Sequence, residues 1–252
     1  MLQALPARKT GKKAHRVFPG VWTILKEGDG ATRLSALLMG FGNLKHGQIA
    51  KGLMLFISEI LFFFIQLNFA LPYLLKLNTL GTQATKKEWS EARQIYVRTP
   101  GDNSMLILLF GVSAILLAIG FFFIWRANLR SSYKAQKLSE KGEKVPSARD
   151  DLQSLVNERY HSTLLTLPSL MVIAFTVLPI LFMILIAFTN FDADHQPPGK
   201  LFGWVGLQNF RDLIFSNPMM AGTFGKVLAW TMVWAVFATF SNYLFGMILA
   251  IM

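Results

Sequence analysis

Residues 55–65 read Leu-Phe-Ile-Ser-Glu-Ile-Leu-Phe-Phe-Phe-Ile and form the centre of an apolar run that extends from Gly52 to Lys76. About 20 consecutive apolar residues in an α-helix cross the hydrocarbon core of a bilayer, which is ~30 Å thick. A helix that is apolar on all sides has no stable place on the surface of a water-soluble protein. The stretch therefore predicts a transmembrane helix.

Three further apolar runs, residues 104–125, 161–188 and 223–252, are also long enough to span. The chain is thus predicted to be an all-α, polytopic transmembrane bundle of about four spans. In the third run, Pro168 and Pro179 are expected to kink the helix, because proline removes a backbone donor and clashes with the preceding turn.

A shorter apolar stretch, residues 31–42, precedes the first span. Its apolar residues follow helical i, i+3, i+4, i+7 spacing, but about 12 residues are too few to cross a bilayer. We predict an interfacial helix here, with a re-entrant turn as the alternative. Gly40 and Gly42 are expected to weaken its C-terminal end.

Composition agrees with membrane residence. Charged residues make up 15% of the chain, whereas soluble proteins carry about 25%. The absence of cysteine excludes disulfides and thiol chemistry. The net charge of +11 is compatible with nucleic acid, anionic lipid or cytoplasmic loops, and its distribution decides among them.

Lysine and arginine alternate between the connecting segments. They number nine in residues 1–51, four in 77–103, eight in 126–160 and two in 189–222. Positive residues are retained on the cytoplasmic side of a membrane. This predicts a cytoplasmic N-terminus in a multi-pass protein of the cell membrane, and it attributes the basic charge to topology rather than to nucleic-acid binding.

The charge and hydropathy patterns predict four regions. Residues 1–30 are a basic cytoplasmic tail without ordered structure; 31–130 hold the interfacial helix and a two-span leader; 131–160 are a cytoplasmic linker; and 161–252 are a second unit with the last two spans. Within the linker, Ser147 is placed to cap an amphipathic helix, with Asp150 and Asp151 in its first turn.

No residues predict catalysis, a cofactor or a metal. Ser131 and Lys134 match an S-x-x-K pattern, but they lie in a basic loop without the partner motifs that this chemistry needs. Asp192, Asp194 and His195 could offer ligands to a cation, but residues of these types before a Pro-Pro-Gly sequence are typical of turns. The lack of convergent His, Asp or Cys residues within the spans argues against a membrane-embedded enzyme.

Glu59 is the charge that lies within the first span. A carboxylate at membrane depth is costly, and it is a functional candidate for that reason. It could reach the headgroups, pair with Lys51 or be neutral. The alternative role is ion or proton coupling in a secondary transporter, and we favour the structural role.

Three motifs lie within and at the end of the third span. They are Leu-Pro-Ser-Leu at 167–170, Thr-Val-Leu-Pro-Ile at 176–180 and Ala-Phe-Thr-Asn-Phe-Asp at 187–192, and Trp-Val-Gly-Leu-Gln-Asn-Phe follows at 204–210. This pattern resembles the first core helix and the following extracytoplasmic loop of maltose/maltodextrin-type ABC importer permeases. Upstream, Arg-Leu-Ser at 33–35, Met-Gly-Phe-Gly-Asn at 39–43 and Lys51-Gly52 resemble the leader of such permeases. The resemblance covers about residues 30–252.

The resemblance implies a permease subunit without catalytic activity, for maltose, maltodextrin or related oligosaccharides. It implies a second permease subunit, a cytoplasmic ATPase dimer and an extracytoplasmic sugar-binding protein as partners. Residues 161–252 would be the start of the permease core. Because the family's Glu-Ala-Ala ATPase-docking loop is not in this sequence, we expect the chain to be the N-terminal portion of a longer permease. Trp204 and Phe210 would be partner contacts or, as we favour, aromatic anchors at the membrane interface.

Overall fold

The computed structural model describes residues 20–157, 160–197, 199–216 and 218–252. The basic residues of the predicted tail, from Arg8 to Arg16, lie outside the described residues. Pro198 of the Pro-Pro-Gly sequence also lies outside them. The helices are α1 (Val21–Glu27), α2 (Gly30–Leu34), α3 (Phe41–Lys45), α4 (Ile49–Ile65), α5 (Leu71–Lys76), α6 (Ser104–Glu140), α7 (Ala148–Val156), α8 (Tyr160–Val172), α9 (Leu178–Ile186), α10 (Gln208–Arg211) and α11 (Pro218–Ile251). The strands are β1 (Lys86–Ser90) and β2 (Ile95–Thr99).

Four helical segments are long and apolar enough to cross a membrane: Ile49–Lys76, Ser104–Glu140, Tyr160–Ile186 and Pro218–Ile251. They overlap the four predicted spans and confirm the all-α transmembrane class. The second helix continues beyond the predicted end at Trp125, because the basic residues that follow remain good helix formers after the apolar run ends.

Two of these four segments contain a π-helical turn shortly before a proline. Gln66–Ala70 forms a π-turn before Pro72, which lies in the first turn of α5, and Ile173–Val177 forms one before Pro179, in the first turn of α9. A widened turn accommodates the missing N–H of proline while the helix continues.

The predicted cap of the linker helix is confirmed. The Asp150 N–H donates to the Ser147 hydroxyl oxygen, and the Asp150 carboxylate accepts the Ser147 N–H at 2.9 Å. This reciprocal capping box satisfies two N–H groups that a helix start otherwise leaves unpaired. Helix α7 therefore begins where the sequence predicts.

Two predictions for the N-terminal region are wrong. Residues 31–42 are not one helix, because α2 ends at Leu34 and α3 starts at Phe41 after a turn in which Gly40 has φ +81°. Within the predicted disordered tail, residues 21–27 form α1, whose Ile24 is fully buried. The burial of this apolar side chain explains why the segment is ordered despite its basic surroundings.

The described residues divide into two compact units. The first takes its residues from Met1–Asn68 and Ile115–Pro168, and the second from Phe69–Ala114 and Ser169–Met252. The first unit holds α1–α4 and α7. The second unit holds β1 and β2, which pair antiparallel with Trp89 opposite Tyr96. The division into a leader and a transport core, with boundaries at residues 130 and 160, stays a prediction.

Candidate functional site

Glu59 is buried in the first unit and has a backbone partner. Its side-chain oxygen Oε2 accepts the N–H of Met39 at 2.8 Å, and Met39 itself is fully buried. Met39 lies in the turn between α2 and α3, where no helical carbonyl is available to its N–H. The carboxylate supplies that acceptor. The predicted alternative partner, Lys51, instead forms an ion pair with Asp151 at 3.3 Å.

The same turn is held by helix α6. Asn128 accepts the N–H of Gly40 at 2.8 Å through Oδ1 and donates to the Ser35 carbonyl at 2.8 Å through Nδ2. The Trp125 ring N–H donates to the Ala36 carbonyl at 2.9 Å. A buried polar side chain is stabilising only when it is hydrogen-bonded, and Asn128 uses both ends of its amide.

A second layer of hydrogen bonds joins α3 to α6. The Ser132 hydroxyl donates to Asn43 Oδ1 at 2.7 Å and lies 3.1 Å from the Ser35 hydroxyl. Asn43 Nδ2 donates to Gln48 Oε1 at 2.6 Å. We call the six residues Ser35, Gly40, Asn43, Glu59, Asn128 and Ser132 the leader polar cluster. The cluster fixes the α2–α3 turn between two predicted spans.

Two glycines allow the α2–α3 turn and α3 to approach α4 closely. A Cβ on Gly40 would collide with the backbone carbonyl of Gly52, and the positive φ of Gly40 disfavours any other residue there. A Cβ on Gly52 would lie 2.6 Å from Cγ of Leu44. The glycines of the Met-Gly-Phe-Gly-Asn and Lys-Gly motifs therefore have a steric function.

Asp29 lies at the start of α2 and connects this helix to α3. It caps α2 by accepting the Thr32 N–H at 2.7 Å, and it lies 3.3 Å from Lys45 Nζ. Burial alone would raise the pKa of Asp29, but the hydrogen bonds from Thr32 and Lys45 lower this pKa to about 2. The residue therefore stays ionised at any physiological pH.

In the second unit, hydrogen bonds join the segment that precedes residue 191 to the segment that follows residue 202. Thr189 pairs with Trp204 as an isolated antiparallel bridge, and the Asn190 N–H donates to the Gly203 carbonyl at 3.1 Å. Asn209 Nδ2 donates to the carbonyls of Ala187 and Thr189 at 2.9 and 2.7 Å. The motifs at 187–192 and 204–210, which are separate in the sequence, thus form one closed loop, which we call the 187–210 loop.

The two predicted aromatic residues of this loop are both half-buried. The Trp204 ring N–H donates to the Leu77 carbonyl at 2.9 Å, and the Phe210 ring packs against Phe188 with centroids 5.3 Å apart. Phe202 is almost fully buried, and its N–H donates to the Ser104 hydroxyl. Trp204 and Phe210 hold the loop and still expose part of their rings, whereas Phe202 is buried. Their role as partner contacts or interface anchors stays a prediction.

Asp192 and His195 form a turn. Asp192 Oδ1 accepts the N–H groups of Asp194 and His195 at 2.8 and 2.7 Å, and it lies 2.8 Å from His195 Nδ1. The hydrogen bond from the His195 side chain lowers the pKa of Asp192. Within the described ranges, no group of three His, Cys, Asp or Glu residues is arranged to hold a metal ion. The turn-forming interpretation matches this geometry.

The prolines of the third span have different surroundings. Pro168 lies inside α8, whereas Pro179 opens α9 directly after a π-turn. The π-turn is a local departure from α-helical geometry at the position where the sequence predicts a kink.

Comparison with known proteins gives relatives for most of this chain. No family model matches the chain, and no solved structure matches it. The maltodextrin transport system permease protein of Streptococcus pneumoniae is 31% identical over 220 residues, which are 86% of this chain and 47% of that protein. The galactooligosaccharides transport system permease protein of Bacillus subtilis is 31% identical over 219 residues, or 86% and 48% of the two chains.

The chain is a relative of oligosaccharide transport permeases. A maltodextrin transport system permease protein of Bacillus subtilis is also similar, at 28% identity over 220 residues. The matched length is close to that of residues 30–252, on which the sequence resemblance rests. The chain spans about half the length of the curated relatives it matches. These relatives are transport permeases, and they give no support to a secondary transporter built on Glu59.

A pattern in the sequence indicates the leader polar cluster, although composition alone does not reveal it. Asn128, Ser132 and Gln136 recur at four-residue spacing, which places them on one face of α6. All three are buried, and Gln136 Oε1 accepts the Asp29 N–H at 3.0 Å. A polar stripe that follows a transmembrane run directly is a pattern by which such a cluster can be found.

Proposed function

We propose that the chain is part of the permease of an ATP-driven importer for maltodextrin or related oligosaccharides. The observation that carries the proposal is the 31% identity, over 86% of this chain, to permease proteins of two oligosaccharide transport systems. In this role the chain lines part of the passage for the sugar and does no chemistry itself.

The proposed partners are a second permease subunit, a cytoplasmic ATPase dimer and an extracytoplasmic sugar-binding protein. ATP and the loaded binding protein would act by stabilising inward- and outward-open states to different extents, because a ligand shifts such an equilibrium only through its differential affinity. The π-turn before Pro179 supports flexing of the third span, since departures from regular hydrogen bonding are sites where helices bend.

We further propose that the N-terminus is cytoplasmic and that the protein resides in a bacterial cell membrane. The alternation of nine, four, eight and two basic residues between successive segments supports this orientation. It would place the 187–210 loop outside, where its half-exposed Trp204 and Phe210 could meet the sugar-binding protein or the headgroup layer.

Sugar uptake tests this function. Cells that carry the gene are compared with cells from which it is deleted, using radiolabelled maltodextrin and galacto-oligosaccharide. The expected result is loss of uptake of at least one sugar on deletion, and dependence of that uptake on ATP but not on the proton or sodium gradient. Uptake that follows an ion gradient and continues without ATP would contradict the proposal.

Orientation is tested on the same chain. Because the chain has no cysteine, single cysteines at Ala92 and Ser139 give two unique reporter sites on opposite predicted sides. A membrane-impermeant maleimide is expected to label the Ala92→Cys chain in intact cells and the Ser139→Cys chain only after lysis. The reverse pattern would invert the proposed topology.

A further inference from the structure

The hairpin β1–β2 in the second unit has two faces of different chemistry. In its register, Lys87 lies opposite Arg98 and Trp89 lies opposite Tyr96. Side chains that are directly opposite in an antiparallel pair point to the same face. One face therefore presents two cations and two large aromatic rings, and we call it the basic aromatic face.

The other face is different in charge. It carries Lys86 and Glu88 together with Ser90, Ile95, Val97 and Thr99, so that its formal charges cancel. The Glu88 carboxylate also accepts a hydrogen bond from the Thr99 hydroxyl at 3.2 Å, which holds that acid on its own face. Positive charge is thus concentrated on the basic aromatic face.

The basic aromatic face is exposed. Trp89 is 50% and Tyr96 69% accessible, and their rings meet edge to face with centroids 5.1 Å apart. Neither Lys87 nor Arg98 forms an ion pair with any acid among the described residues. Like charges directly opposite each other destabilise a hairpin. An external anion would relieve the repulsion between these two cations.

The hairpin is held close to the ends of two predicted spans. Asp102 forms an ion pair with Lys76, at the end of α5, and accepts the N–H groups of Thr82 and Gln83 at 2.9 and 3.2 Å. Only residues 77–85 and 100–103 separate the strands from α5 and α6. The base of the hairpin is therefore anchored at the ends of these two predicted spans.

We propose that the basic aromatic face docks on the headgroup layer of the bilayer and binds anionic lipid. Tryptophan and tyrosine are enriched at this depth because their rings are amphipathic, and lysine and arginine near a surface are attracted to anionic headgroups. The four side chains offer this combination beside the membrane-spanning helices. The partner is the phosphate of an anionic phospholipid such as phosphatidylglycerol.

The test uses the complete chain in nanodiscs. The absence of natural cysteine allows a nitroxide label at Lys87→Cys, on the proposed face, or at its neighbour Glu88→Cys, on the opposite face. The accessibility of each label to oxygen and to a water-soluble nickel chelate is measured in phosphatidylglycerol and in phosphatidylcholine discs. In phosphatidylglycerol, the ratio of oxygen to nickel accessibility is expected to be at least twofold higher at position 87 than at 88, and the difference should shrink in phosphatidylcholine.

A second variant keeps the test decisive if Lys87→Cys itself weakens docking. A label at Ala92→Cys, in the exposed hairpin turn, is compared in chains with the natural cations and with Lys87→Gln/Arg98→Gln. Neutralising the cations is expected to raise nickel accessibility at the turn in phosphatidylglycerol discs, with unchanged helix content. These exposed substitutions leave the buried contacts of the hairpin base intact.

Four outcomes would overturn the proposal. They are equal accessibility of both faces in phosphatidylglycerol, a difference that is independent of lipid charge, protection of position 87 by soluble maltodextrin rather than by lipid, and spin–spin broadening that rises with the number of chains per disc. The last two would assign the face to a sugar or to a second copy of the chain.

Discussion

Helix α6 and helix α11 are both long predicted spans, but they are stabilised in different ways. In an apolar stretch of 18 residues within Ser104–Glu140, 28% of the residues are buried by the described part of the chain, against 0% in the corresponding stretch of Pro218–Ile251. Helix α6 continues into a stripe of buried polar groups, whereas the hydroxyls of Thr223, Thr231 and Ser241 on α11 bond to carbonyls of their own helix. Helix α6 is therefore held by groups elsewhere in the chain, whereas these three hydroxyls of α11 bond only within their own helix.

The largest effect that would sharpen this comparison is expected at Gly40. Gly40→Ala should destabilise the first unit by roughly 4 kcal/mol or more, because it combines an unfavourable positive φ with a collision against the Gly52 backbone. The measurement is the free energy of unfolding in bicelles, followed by circular dichroism.

Gly47 provides the matched control. It has φ +87°, but a Cβ there would meet nothing within 4 Å. Gly47→Ala is expected to cost only about 1 kcal/mol, the conformational part of the effect. Equal losses in the two variants would mean that the close approach of Gly40 and Gly52 is not a feature of the folded chain.

A second prediction separates structure from proton coupling at Glu59. Glu59→Leu removes the acceptor of the Met39 N–H and should cost about 1–3 kcal/mol, the penalty for an unpaired buried donor. Glu59→Gln retains a carbonyl oxygen and should be close to the natural chain in stability and in sugar uptake. Loss of uptake in a stably folded Glu59→Gln chain would restore the coupling role for this carboxylate.

A third prediction compares the same substitution in the two regions. Ser132→Ala removes a buried hydroxyl that serves Asn43, and should destabilise by about 1–2 kcal/mol. Ser241→Ala removes a hydroxyl that bonds only within α11, and should change stability by less than about 0.5 kcal/mol. A larger loss at Ser241 would show that α11 has specific partners in the isolated chain.

The smallest effect is expected on the apolar surface of α11. Phe237 is 69% exposed, and Phe237→Leu keeps an apolar side chain there. The unfolding free energy of the isolated chain should change by less than about 0.5 kcal/mol. A defect in co-purification with other transport subunits, without a change in stability, would identify this surface as an interface between subunits.

The same contrast explains which features the sequence predicts. The four spans are local in origin, because about 20 apolar residues suffice to define each of them, and the Ser147 cap depends on residues three positions apart. These two features need no knowledge of distant contacts, whereas the closure of the 187–210 loop was not predicted, and Trp204 and Phe202 join it to Leu77 and Ser104.

The features that escaped prediction depend on distant partners. Residues 31–42 have helical apolar spacing, but Glu59 and Asn128 supply hydrogen-bond partners that favour a turn at Met39 and Gly40. The hairpin was missed although Ile-Tyr-Val-Arg-Thr at 95–99 is rich in residues that favour strands. The pairing of β1 with β2 follows only when both short strands and the contacts of Asp102 at the base of the hairpin are considered together.

The contacts of Asp102 at the base of the β1–β2 hairpin also affect which insertions the hairpin can accept. Because this carboxylate fixes the chain ends at Lys76, Thr82 and Gln83, additional residues at the 91–94 turn would extend outward without separating the two helices. Each doubling of a flexible loop costs only about 0.6 kcal/mol in closure entropy. The hairpin tip is thus a natural insertion point, where an affinity tag, or over evolutionary time a whole domain, can be added while the spans keep their spacing.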